Sequence, residues 1–430
     1  MSTSNDTVVI LGANGVMGAA AAAVFASGGY NVVMLARDLD KARQALEAAK
    51  TAARAEAVAE RISLGSYERD MERHVAHSAL VFEALAEDLV LKREFFKQID
   101  GCRGPETVVA TNSSGLSITA MASGMSDSFR RHFLGIHMYN PPHIIVGTEL
   151  IPHAETDDAV LSRIAMAFGK RFGRKLITTR DRPAFVGNRV GFRVMNEAAQ
   201  LAEEQGVAFI DYLIGPHTGR AMAPLATVDL VGWDVHKAIV DNVYANCEDE
   251  ARNCFKLPAY MEAAIAEGRL GDKTAEKGGF YRRAAGRTVE VLDPRSNSYQ
   301  PFIPPRPIDF VERMKALNRV GRYPEALRTL AQAEGREAAL ARKVVLGYVS
   351  YALNRVGDVA ASPADVDTIM SYGFNWTPPC AIVDLIGARR TLELMADCGL
   401  IVPPVVEQAA AKGTKLFSKG VLEYGRTFVG

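Results

Sequence analysis

A buried strand, a glycine-rich turn and a helix open the chain, and they constrain its fold more than any other feature. The apolar run Thr7–Leu11 leads into Gly12-x-x-Gly15-x-x-Gly18, alanine-rich sequence follows, and a second apolar run spans Tyr30–Leu35. Glycines let such a turn tighten and let the backbone approach a pyrophosphate, which is attracted by the partial positive charge of a helix N-terminus. The sequence therefore predicts a Rossmann-like βαβ unit that binds a dinucleotide.

The glycines of this turn and the two residues between the last two of them are the candidate phosphate-binding residues. They are Gly12, Gly15, Val16, Met17 and Gly18. Their spacing has one residue more than the usual Gly-x-Gly-x-x-Gly pattern. A purely structural strand-to-helix turn is the alternative interpretation.

The end of the second strand bears on the choice of cofactor. An acidic residue normally binds the adenosine ribose 2′-hydroxyl at this point, but the chain has Ala36, followed by Arg37 and Asp38. Arg37 is suited to pair with a 2′-phosphate, whereas Asp38, one or two residues further on, is still a candidate to bind the ribose. Both NAD and NADP therefore stay open from these residues.

The balance of charges and the cysteine pattern argue against several classes of protein. Fifty Lys and Arg residues balance fifty Asp and Glu residues, so no global field attracts nucleic acid or a membrane surface. The sequence has no 18-residue apolar run and no signal segment, so neither a membrane span nor secretion is expected. Five scattered cysteines indicate neither a disulfide framework nor a zinc knuckle, so the expected location is a reducing cytoplasm. A chain of 430 residues predicts two or three domains.

The segment GIHMYNP, residues 135–141, offers an imidazole, and a carboxylate follows at Glu149 on the next extended segment. A carboxylate bonded to one ring nitrogen of His137 would fix the tautomer and stabilise the imidazolium that forms when the other nitrogen takes a proton. Such a base suits the oxidation of an alcohol. A core histidine beside a rim glutamate is the alternative interpretation.

Four histidines lie close together in the sequence, which raises the question of a metal site. They are His132, His137, His143 and His153. Their spacing does not match the i, i+4 geometry that puts two ligands on one helix face, and no group of acids joins them. No metal is expected.

A further apolar run, Thr107–Asn112, predicts a buried strand that is followed by Ser113 and Ser114. Ligands bind at the carboxyl ends of strands in an open parallel sheet, so Asn112 and Ser114 are candidate site residues. The serines are equally suited to cap the next helix. One arrangement satisfies both interpretations, with Ser113 as the cap and Ser114 facing the site.

Residues 39 to about 75 read as a long, charged helical stretch. Its cations are Lys41, Arg43, Lys50, Arg54, Arg61, Arg69 and Arg73. Solvated helix faces are the simpler interpretation. The functional interpretation is that some of these cations meet phosphate groups of a substrate.

Several motifs, in this order, resemble those of the 3-hydroxyacyl-CoA dehydrogenase family. They are the glycine turn ending in MG, VFEAxxEDxxxK at residues 81–92, ATNSS at 110–114, GIHMYNPP at 135–142 and TRDRPAFVGNR at 179–189. The resemblance covers roughly residues 7–285 and continues more weakly to the end. Two phenylalanines are usual where this chain has Met138 and Tyr139.

The resemblance implies an active site of four residues and two cofactor contacts. The Ser-Ser segment, the histidine, the glutamate twelve residues later and the asparagine before arginine correspond to Ser114, His137, Glu149 and Asn188. The family's Glu-x-x-x-x-Lys pair near the nicotinamide ribose corresponds to Glu87 and Lys92.

The activity implied by the resemblance is the reversible oxidation of a (3S)-3-hydroxyacyl-CoA to a 3-oxoacyl-CoA, with NAD as the expected cofactor and fatty-acid β-oxidation as the expected context. His137 would remove the hydroxyl proton as hydride passes to the nicotinamide. Two alternatives remain: a dehydrogenase of a small 3-hydroxy acid or sugar acid without CoA, and a cofactor-binding protein without turnover.

After residue 183 the pattern changes to helices alone. A stripe at helical spacing spans Val186–Gln205, and the segment TVDLVG at residues 227–232 is echoed by IVDLIG at 382–387. The sequence predicts an α/β Rossmann-like domain over 1–182, followed by an all-α region of two diverged helical units, 183–285 and 340–430. A Pro-rich connector over 286–339 joins them.

This repeat suggests how the protein assembles. The resemblance implies that family members with one helical unit form homodimers through that unit. A second copy of the unit in the same chain would then occupy the place of the partner. The expectation is a monomer with an internal pseudo-dimer, with a homodimer as the alternative. Arg342-Lys343 stands near the place of the Asn-Arg motif, so the second copy is expected to be structural.

Overall fold

The computed structural model describes residues 6–283 and 289–417. The chain divides into two compact units, Met1–Phe185 and Val186–Gly430. The finer division of the second unit at residues 285 and 340 stays a prediction, because residues 284–288 lie outside the described part of the chain, as do 418–430 at its predicted end.

An eight-stranded sheet forms the centre of the first unit. Its strands are β1 (Thr7–Leu11), β2 (Asn31–Ala36), β3 (Ile62–Ser66), β4 (Leu80–Glu83), β5 (Val108–Thr111), β6 (Phe133–Met138), β7 (Gly147–Pro152) and β8 (Lys175–Thr178). They lie in the order β3-β2-β1-β4-β5-β6-β7-β8. Neighbouring strands are parallel except at β6 and β7, which pair antiparallel. The predicted Rossmann-like architecture is confirmed. The antiparallel pairing of β6 with β7 reverses the direction of β7 and β8 at one edge of the sheet.

Helices connect the strands and cover both faces of this sheet. They are α1 (Val16–Ser27), α2 (Leu39–Ala53), α3 (Glu56–Ala59), α4 (Tyr67–Ala76), α5 (Leu89–Cys102), α6 (Ile118–Ala122), α7 (Asp127–Arg131) and α8 (Asp158–Lys170). Alternate residues of β1 enter two different cores, because successive side chains of a strand point to opposite faces. Val8 and Ile10 pack in the same core as α1 and α8, whereas Val9 and Leu11 pack in the core on the other face.

The prediction of one helical stretch over residues 39–75 is wrong. The edge strand β3, Ile62–Ser66, interrupts it and pairs with β2, so that α2 and the short α3 precede the strand and α4 follows it. Only Ile62 and the last two residues of this strand are buried, which is typical of an edge position. The strand has only five residues and lies within a highly charged segment, so its alternation of buried and exposed residues does not stand out in the sequence.

The second unit is mainly helical. Its helices are α9 (Gly187–Gln205), α10 (Val207–Leu213), α11 (Pro224–Val231), α12 (Trp233–Asn246), α13 (Ala259–Ala266), α14 (Asp309–Arg319), α15 (Tyr323–Gln332), α16 (Arg336–Asn354), α17 (Pro363–Phe374), α18 (Pro379–Ile386), α19 (Ala388–Asp397) and α20 (Pro404–Lys412). Among the described residues no helix is both long and apolar enough to cross a membrane.

The expectation that this unit contains helices alone needs a correction. A three-stranded antiparallel sheet, β11-β10-β9, is formed by β9 (Tyr281–Arg283), β10 (Val289–Asp293) and β11 (Ser298–Pro301). The predicted connector therefore contains a β-hairpin as well as α14 and α15. A turn with Asn297 at positive φ joins β10 to β11, and asparagine tolerates this conformation. The strands have only three to five residues, so the sequence pattern resembles a loop.

Two series of helices in this unit resemble each other, and the predicted repeat stays a prediction. The series α9-α10-α11-α12 corresponds to α16-α17-α18-α19, and a glycine with φ +98° joins the last two helices in each series, at Gly232 and Gly387. The carboxylate three residues before each glycine accepts two consecutive backbone N–H groups. Asp229 accepts those of Phe280 and Tyr281, and Asp384 accepts those of Leu416 and Phe417.

Candidate active site

The glycine turn is built so closely that side chains would not fit. Gly12 has φ +77°, and a Cβ there would lie 2.3 Å from the carbonyl oxygen of Ala84. A Cβ on Gly18 would lie 2.5 Å from the carbonyl oxygen of Gly12. The turn therefore depends on glycine for close backbone packing between β1, α1 and the segment after β4.

The N-terminus of α1 has the properties of a phosphate site. Gly15 is the N-cap residue and brings no side chain to occupy the first N–H groups of the helix, and the first turn contains no acidic residue. Val16 is 72% exposed, whereas Met17 packs against the core. Backbone N–H groups at the end of a twelve-residue helix suit a pyrophosphate, so these residues fit a dinucleotide.

Tyr67 is a residue of this region that the sequence interpretation missed. Its hydroxyl accepts a hydrogen bond of 2.7 Å from the backbone N–H of Gly12. Burial raises the pKa of Tyr67, so the phenol stays neutral. The residue begins α4 directly after β3, and that strand was not predicted.

The residues at the end of β2 have separate roles. Ala36 is buried, whereas Arg37 and Asp38 are exposed. The carboxylate of Asp38 caps α2 by accepting the N–H groups of Asp40 at 3.0 Å and Lys41 at 3.1 Å. Helix capping therefore accounts for Asp38 without a cofactor.

The antiparallel pair β6 and β7 places His137 directly opposite Glu149. The Nδ1 atom of His137 lies 2.7 Å from Oε2 of Glu149, and the two side chains are 3% and 0% exposed. The ring of Phe185 packs 5.6 Å from the imidazole centroid. A buried carboxylate on Nδ1 fixes the ring orientation and directs Nε2 to proton transfer.

Tyr139 adds a third member to this pair. Its hydroxyl donates to Oε2 of Glu149 at 2.6 Å, the same oxygen that His137 contacts, and the two rings lie 4.7 Å apart. Burial and the neighbouring carboxylate raise the pKa of Tyr139 well above its ordinary value. The phenol therefore remains a hydrogen-bond donor. From the sequence, Tyr139 indicates only an altered pocket.

Glu87 organises the loop after β5. Its Oε1 atom accepts hydrogen bonds from the Ser113 hydroxyl at 2.6 Å, the Ser114 N–H at 2.8 Å and the Gly115 N–H at 3.1 Å. The Ser113 hydroxyl also accepts the N–H of Leu116 at 3.1 Å. The prediction that Ser113 caps the next helix is wrong, because the N-cap residue of α6 is Ser117, whose hydroxyl accepts the N–H of Ala120 at 3.1 Å. Ser114 is half-buried beside Ser113.

Lys92 takes part in a buried ion network. Its ammonium lies 2.7 Å from Glu83 and 3.5 Å from Glu87, and Lys92 and Glu83 are 1% and 0% exposed. Glu83 also accepts a hydrogen bond of 2.5 Å from the hydroxyl of Thr111. Glu83 was not singled out from the sequence, although it belongs to the quoted VFEA motif. The network links the ends of β4 and β5 to the Glu87 loop.

Asn112 and Asn188 are the two remaining predicted site residues. Asn112 connects neighbouring strand ends, because its Oδ1 atom accepts the backbone N–H of Met138 at 2.9 Å. Asn188 is the second residue of α9 and is 4% exposed, in the second unit. Among the described residues no three His, Cys, Asp or Glu side chains form a group that would hold a metal ion.

Comparisons with known proteins agree on one family. The model for "3-hydroxyacyl-CoA dehydrogenase, NAD binding domain" matches residues 7–182, and that for "3-hydroxyacyl-CoA dehydrogenase, C-terminal domain" matches residues 185–283. The description of the first domain identifies NAD as the cofactor.

Individual relatives carry the same description. A Deinococcus radiodurans protein named "Probable 3-hydroxyacyl-CoA dehydrogenase" is 31% identical over 288 residues, 64% of this chain and 82% of its own length. A Bacillus subtilis protein of the same name is 28% identical over 361 residues, 83% of this chain, and this match spans only 45% of that longer relative. The crystal structure of 3-hydroxybutyryl-CoA dehydrogenase from Escherichia coli K12 matches 96% of this chain and 99% of its own with a TM-score of 0.69, and at 20% identity it supports the fold.

Proposed function

Because the chain belongs to the 3-hydroxyacyl-CoA dehydrogenase family, we propose that it oxidises a (3S)-3-hydroxyacyl-CoA reversibly to the 3-oxoacyl-CoA, with His137 as general base. The observation that carries this proposal is the buried contact of 2.7 Å between His137 and Glu149. The wider assignment, an NAD-dependent oxidoreductase, follows from the family.

His137 accepts the proton of the substrate hydroxyl at Nε2 during oxidation. Glu149 holds Nδ1 and stabilises the positive charge that the ring gains. When bound, NAD supplies the hydride acceptor at C4 of its nicotinamide. The apolar ring of Phe185 and the buried strands around the dyad limit access of water to the imidazole.

Tyr139 weakens the support that Glu149 gives to the imidazolium. Two donors share one carboxylate oxygen, so the phenol withdraws part of the negative charge that would otherwise face His137. A dyad with phenylalanine at this position has no such competitor. Tyr139 thus acts as a positioning residue for Glu149.

Ser114 and Asn188 are proposed to hold the oxygen atoms of the substrate. The backbone of Ser114 is fixed by Glu87, which suits an orienting role near the end of β5. The role that the resemblance gives to Asn188 stays a prediction, tested by the kcat and KM of Asn188→Ala.

An absorbance assay of reduced nicotinamide tests the proposed reaction. Wild-type protein should consume NADH with acetoacetyl-CoA and should be much slower with free acetoacetate. Faster turnover of the free acid would favour a dehydrogenase of small 3-hydroxy acids. No change with either substrate, in assays with NADH and with NADPH, would favour a binding protein without turnover.

We further propose that the second helical series takes the place of a partner subunit, so that the protein is a monomer. Helix α9 packs against α16 and α17 within one unit. Gly191 of α9 lies so close to Phe374 that a Cβ would meet its ring at 2.1 Å, and a Cβ on Gly347 of α16 would meet the guanidinium of Arg193 at 2.9 Å. A glycine in each series thus allows a close approach.

A buried ion cluster joins the same two helices. Asp249 accepts bonds from Arg189 at 2.8 Å, Tyr351 at 2.9 Å and Arg355 at 3.0 Å. Light scattering with in-line chromatography should give the mass of one chain. A stable dimer would contradict this assembly.

The cytoplasmic location stays a prediction from the sequence.

A further inference from the structure

The carboxyl end of β2 is the part of the dinucleotide site that departs from an ordinary NAD site. Ala36, the last residue of β2, is buried and carries only a methyl group, so it offers no oxygen to the adenosine ribose. An acidic side chain at this point accepts the 2′-hydroxyl of NAD and repels the 2′-phosphate of NADP. Ala36 provides neither effect.

Asp38 does not replace this acid, because its carboxylate serves the start of α2. Its Oδ1 atom accepts the backbone N–H groups of Asp40 at 3.0 Å and Lys41 at 3.1 Å. Its Oδ2 atom lies 3.9 Å from the ammonium of Lys41. Capping and this ion pair account for the carboxylate, which leaves the 2′ position of the ribose without an acidic partner from this segment.

Arg37 is exposed directly after the strand and has no acidic partner in the part of the chain that the structure describes. The aspartates at the starts of α2 and α4 each have another cation, and these pairs are Asp38–Lys41, Asp40–Arg43 and Asp70–Arg73. The positive charge of Arg37 is therefore available to a ligand. A solvated surface arginine is the simpler interpretation of exposure alone, so the position of Arg37 decides between the two.

Arg37 lies close to the glycine turn. The carbonyl oxygen of Leu35 accepts the backbone N–H of Ala13 at 3.4 Å, which joins the end of β2 to this turn. The hydroxyl of Tyr67 accepts the N–H of Gly12 at 2.7 Å. Burial raises the pKa of Tyr67, and the charge of Arg37 is among the smaller effects that lower it. The guanidinium is thus within electrostatic reach of the turn that suits a pyrophosphate.

The edge strand β3 brings a second arginine to the same end of the sheet. Ala36 pairs in register with Ser66, the last residue of β3. The hydroxyl of Ser66 accepts the Nε–H of Arg69 at 3.3 Å, and Arg69 is exposed. The end of β2 therefore has one guanidinium directly after it and another at the start of α4.

We propose that the dinucleotide site accepts NADP(H) as well as NAD(H), with Arg37 binding the 2′-phosphate and Arg69 as a second cation beside it. The fork of N–H donors on a guanidinium matches phosphate oxygens. Neither arginine repels a neutral 2′-hydroxyl, so NAD still binds. This cofactor preference goes beyond the proposed function and does not depend on which 3-hydroxy substrate the protein oxidises.

Fluorescence titration with NADH and with NADPH measures the preference without turnover. The wild type should bind NADPH with a Kd within about tenfold of that for NADH. Arg37→Gln should raise the ratio of the NADPH Kd to the NADH Kd about tenfold, and Arg37→Glu about 100-fold, because a carboxylate repels the phosphate. Arg69→Gln should raise the same ratio about threefold.

Arg43→Gln is the matched control, because it removes the same charge from an exposed site on α2 where Arg43 pairs with Asp40. Its ratio of the two Kd values should equal that of the wild type. A difference larger than about tenfold in the wild type would overturn the inference. So would an unchanged ratio in Arg37→Gln, or the same change in Arg43→Gln.

Calorimetry with adenosine fragments identifies the phosphate that Arg37 binds. Adenosine 2′,5′-bisphosphate should bind the wild type at least about fivefold more tightly than AMP, and Arg37→Gln should abolish this gain. An equal gain with adenosine 3′,5′-bisphosphate, the nucleotide portion of CoA, would assign Arg37 to the substrate and overturn the cofactor inference.

The titration also separates this inference from the proposed reaction. Binding of NADPH by a protein that turns over no CoA thioester would contradict the proposed function and leave the cofactor inference standing. Turnover of acetoacetyl-CoA with NADH, together with NADPH binding outside the tenfold range given above, would do the reverse.

Discussion

Two buried carboxylates, one in each unit, have opposite roles because their partners differ. Glu149 accepts from an imidazole and a phenol, whereas Asp229 accepts from the N–H groups of Phe280 and Tyr281 and from the indole N–H of Trp233. The donors on Asp229 do not change their charge in any working range of pH. The donor on Glu149 does. Burial alone therefore does not identify a catalytic acid, and the chemistry of the partner does.

His137→Gln should have the largest effect on activity. Glutamine can keep a hydrogen bond to Glu149 but cannot take up a proton, so kcat should fall by about 10²- to 10⁴-fold. NADH affinity, measured by fluorescence titration, should stay within about twofold. Activity within tenfold of the wild type would show that another residue is the base.

Glu149→Gln should cost about 100-fold in kcat, less than the loss of the base itself. The amide still occupies the site but no longer stabilises the positive ring. Unfolding by denaturant should change less than it does for substitutions at Asp229. A large loss of stability together with unchanged kcat would assign Glu149 to structure.

Asp229→Asn should reverse this pattern. An amide accepts at one end only, so a buried N–H is left without a partner at a cost of about 2–3 kcal/mol in the free energy of unfolding. Turnover per folded molecule should stay close to that of the wild type. A loss of kcat without a loss of stability would contradict the comparison.

Asp384→Asn tests the corresponding carboxylate of the second helical series. Asp384 is half-buried and accepts two backbone N–H groups, one donor fewer than Asp229. The expected loss is about 1 kcal/mol in the same denaturation experiment. An equal loss in the free energy of unfolding for Asp384→Asn and Asp229→Asn would mean that the two carboxylates stabilise their helical series equally.

Tyr139→Phe should have the smallest effect on rate but a specific effect on pH dependence. The phenol is neutral because its pKa is raised, so its removal deletes a donor and no charge. Glu149 then supports the imidazolium fully, and the acid limb of log kcat/KM should move up by about 0.5–1 pH unit. The plateau should stay within about threefold.

Charged groups near the dyad are unchanged in this variant. They include Arg174, which contacts Met138, Asp181, which caps α6, and the Glu83–Lys92 pair at the strand ends beyond β5. Tyr30→Phe is the matched control, because Tyr30 stacks on Arg171 away from the dyad. An acid limb at the wild-type position would exclude the competition between Tyr139 and His137.

The sequence predicted the parts of the fold that short-range patterns specify. The glycine turn, the strands with continuous apolar runs and the helix that begins at Gly187 follow from spacing alone. The strand β3 does not, because it pairs with β2, which is distant in the sequence. The strands β10 and β11 do not, because five and four residues are too few for a clear alternation. Such short strands depend on the tertiary context.

The candidate site shows the same limit. The spacing of His137 and Glu149 sufficed to propose a dyad, because two antiparallel strands joined by a short loop bring residues twelve positions apart opposite each other. The bond from Tyr139 to Glu149 and the pairing of Lys92 with Glu83 depend on which side chains share one buried oxygen. No sequence spacing reports that arrangement.

The protonation of a single ring tests the account most directly. Nitrogen-15 NMR of labelled protein, with the His137 signals identified by their absence in His137→Gln, reports which nitrogen of the neutral ring carries hydrogen. We expect hydrogen on Nδ1, toward Glu149, and a bare Nε2 able to accept a proton. Hydrogen on Nε2 in the neutral ring would contradict His137 as the base.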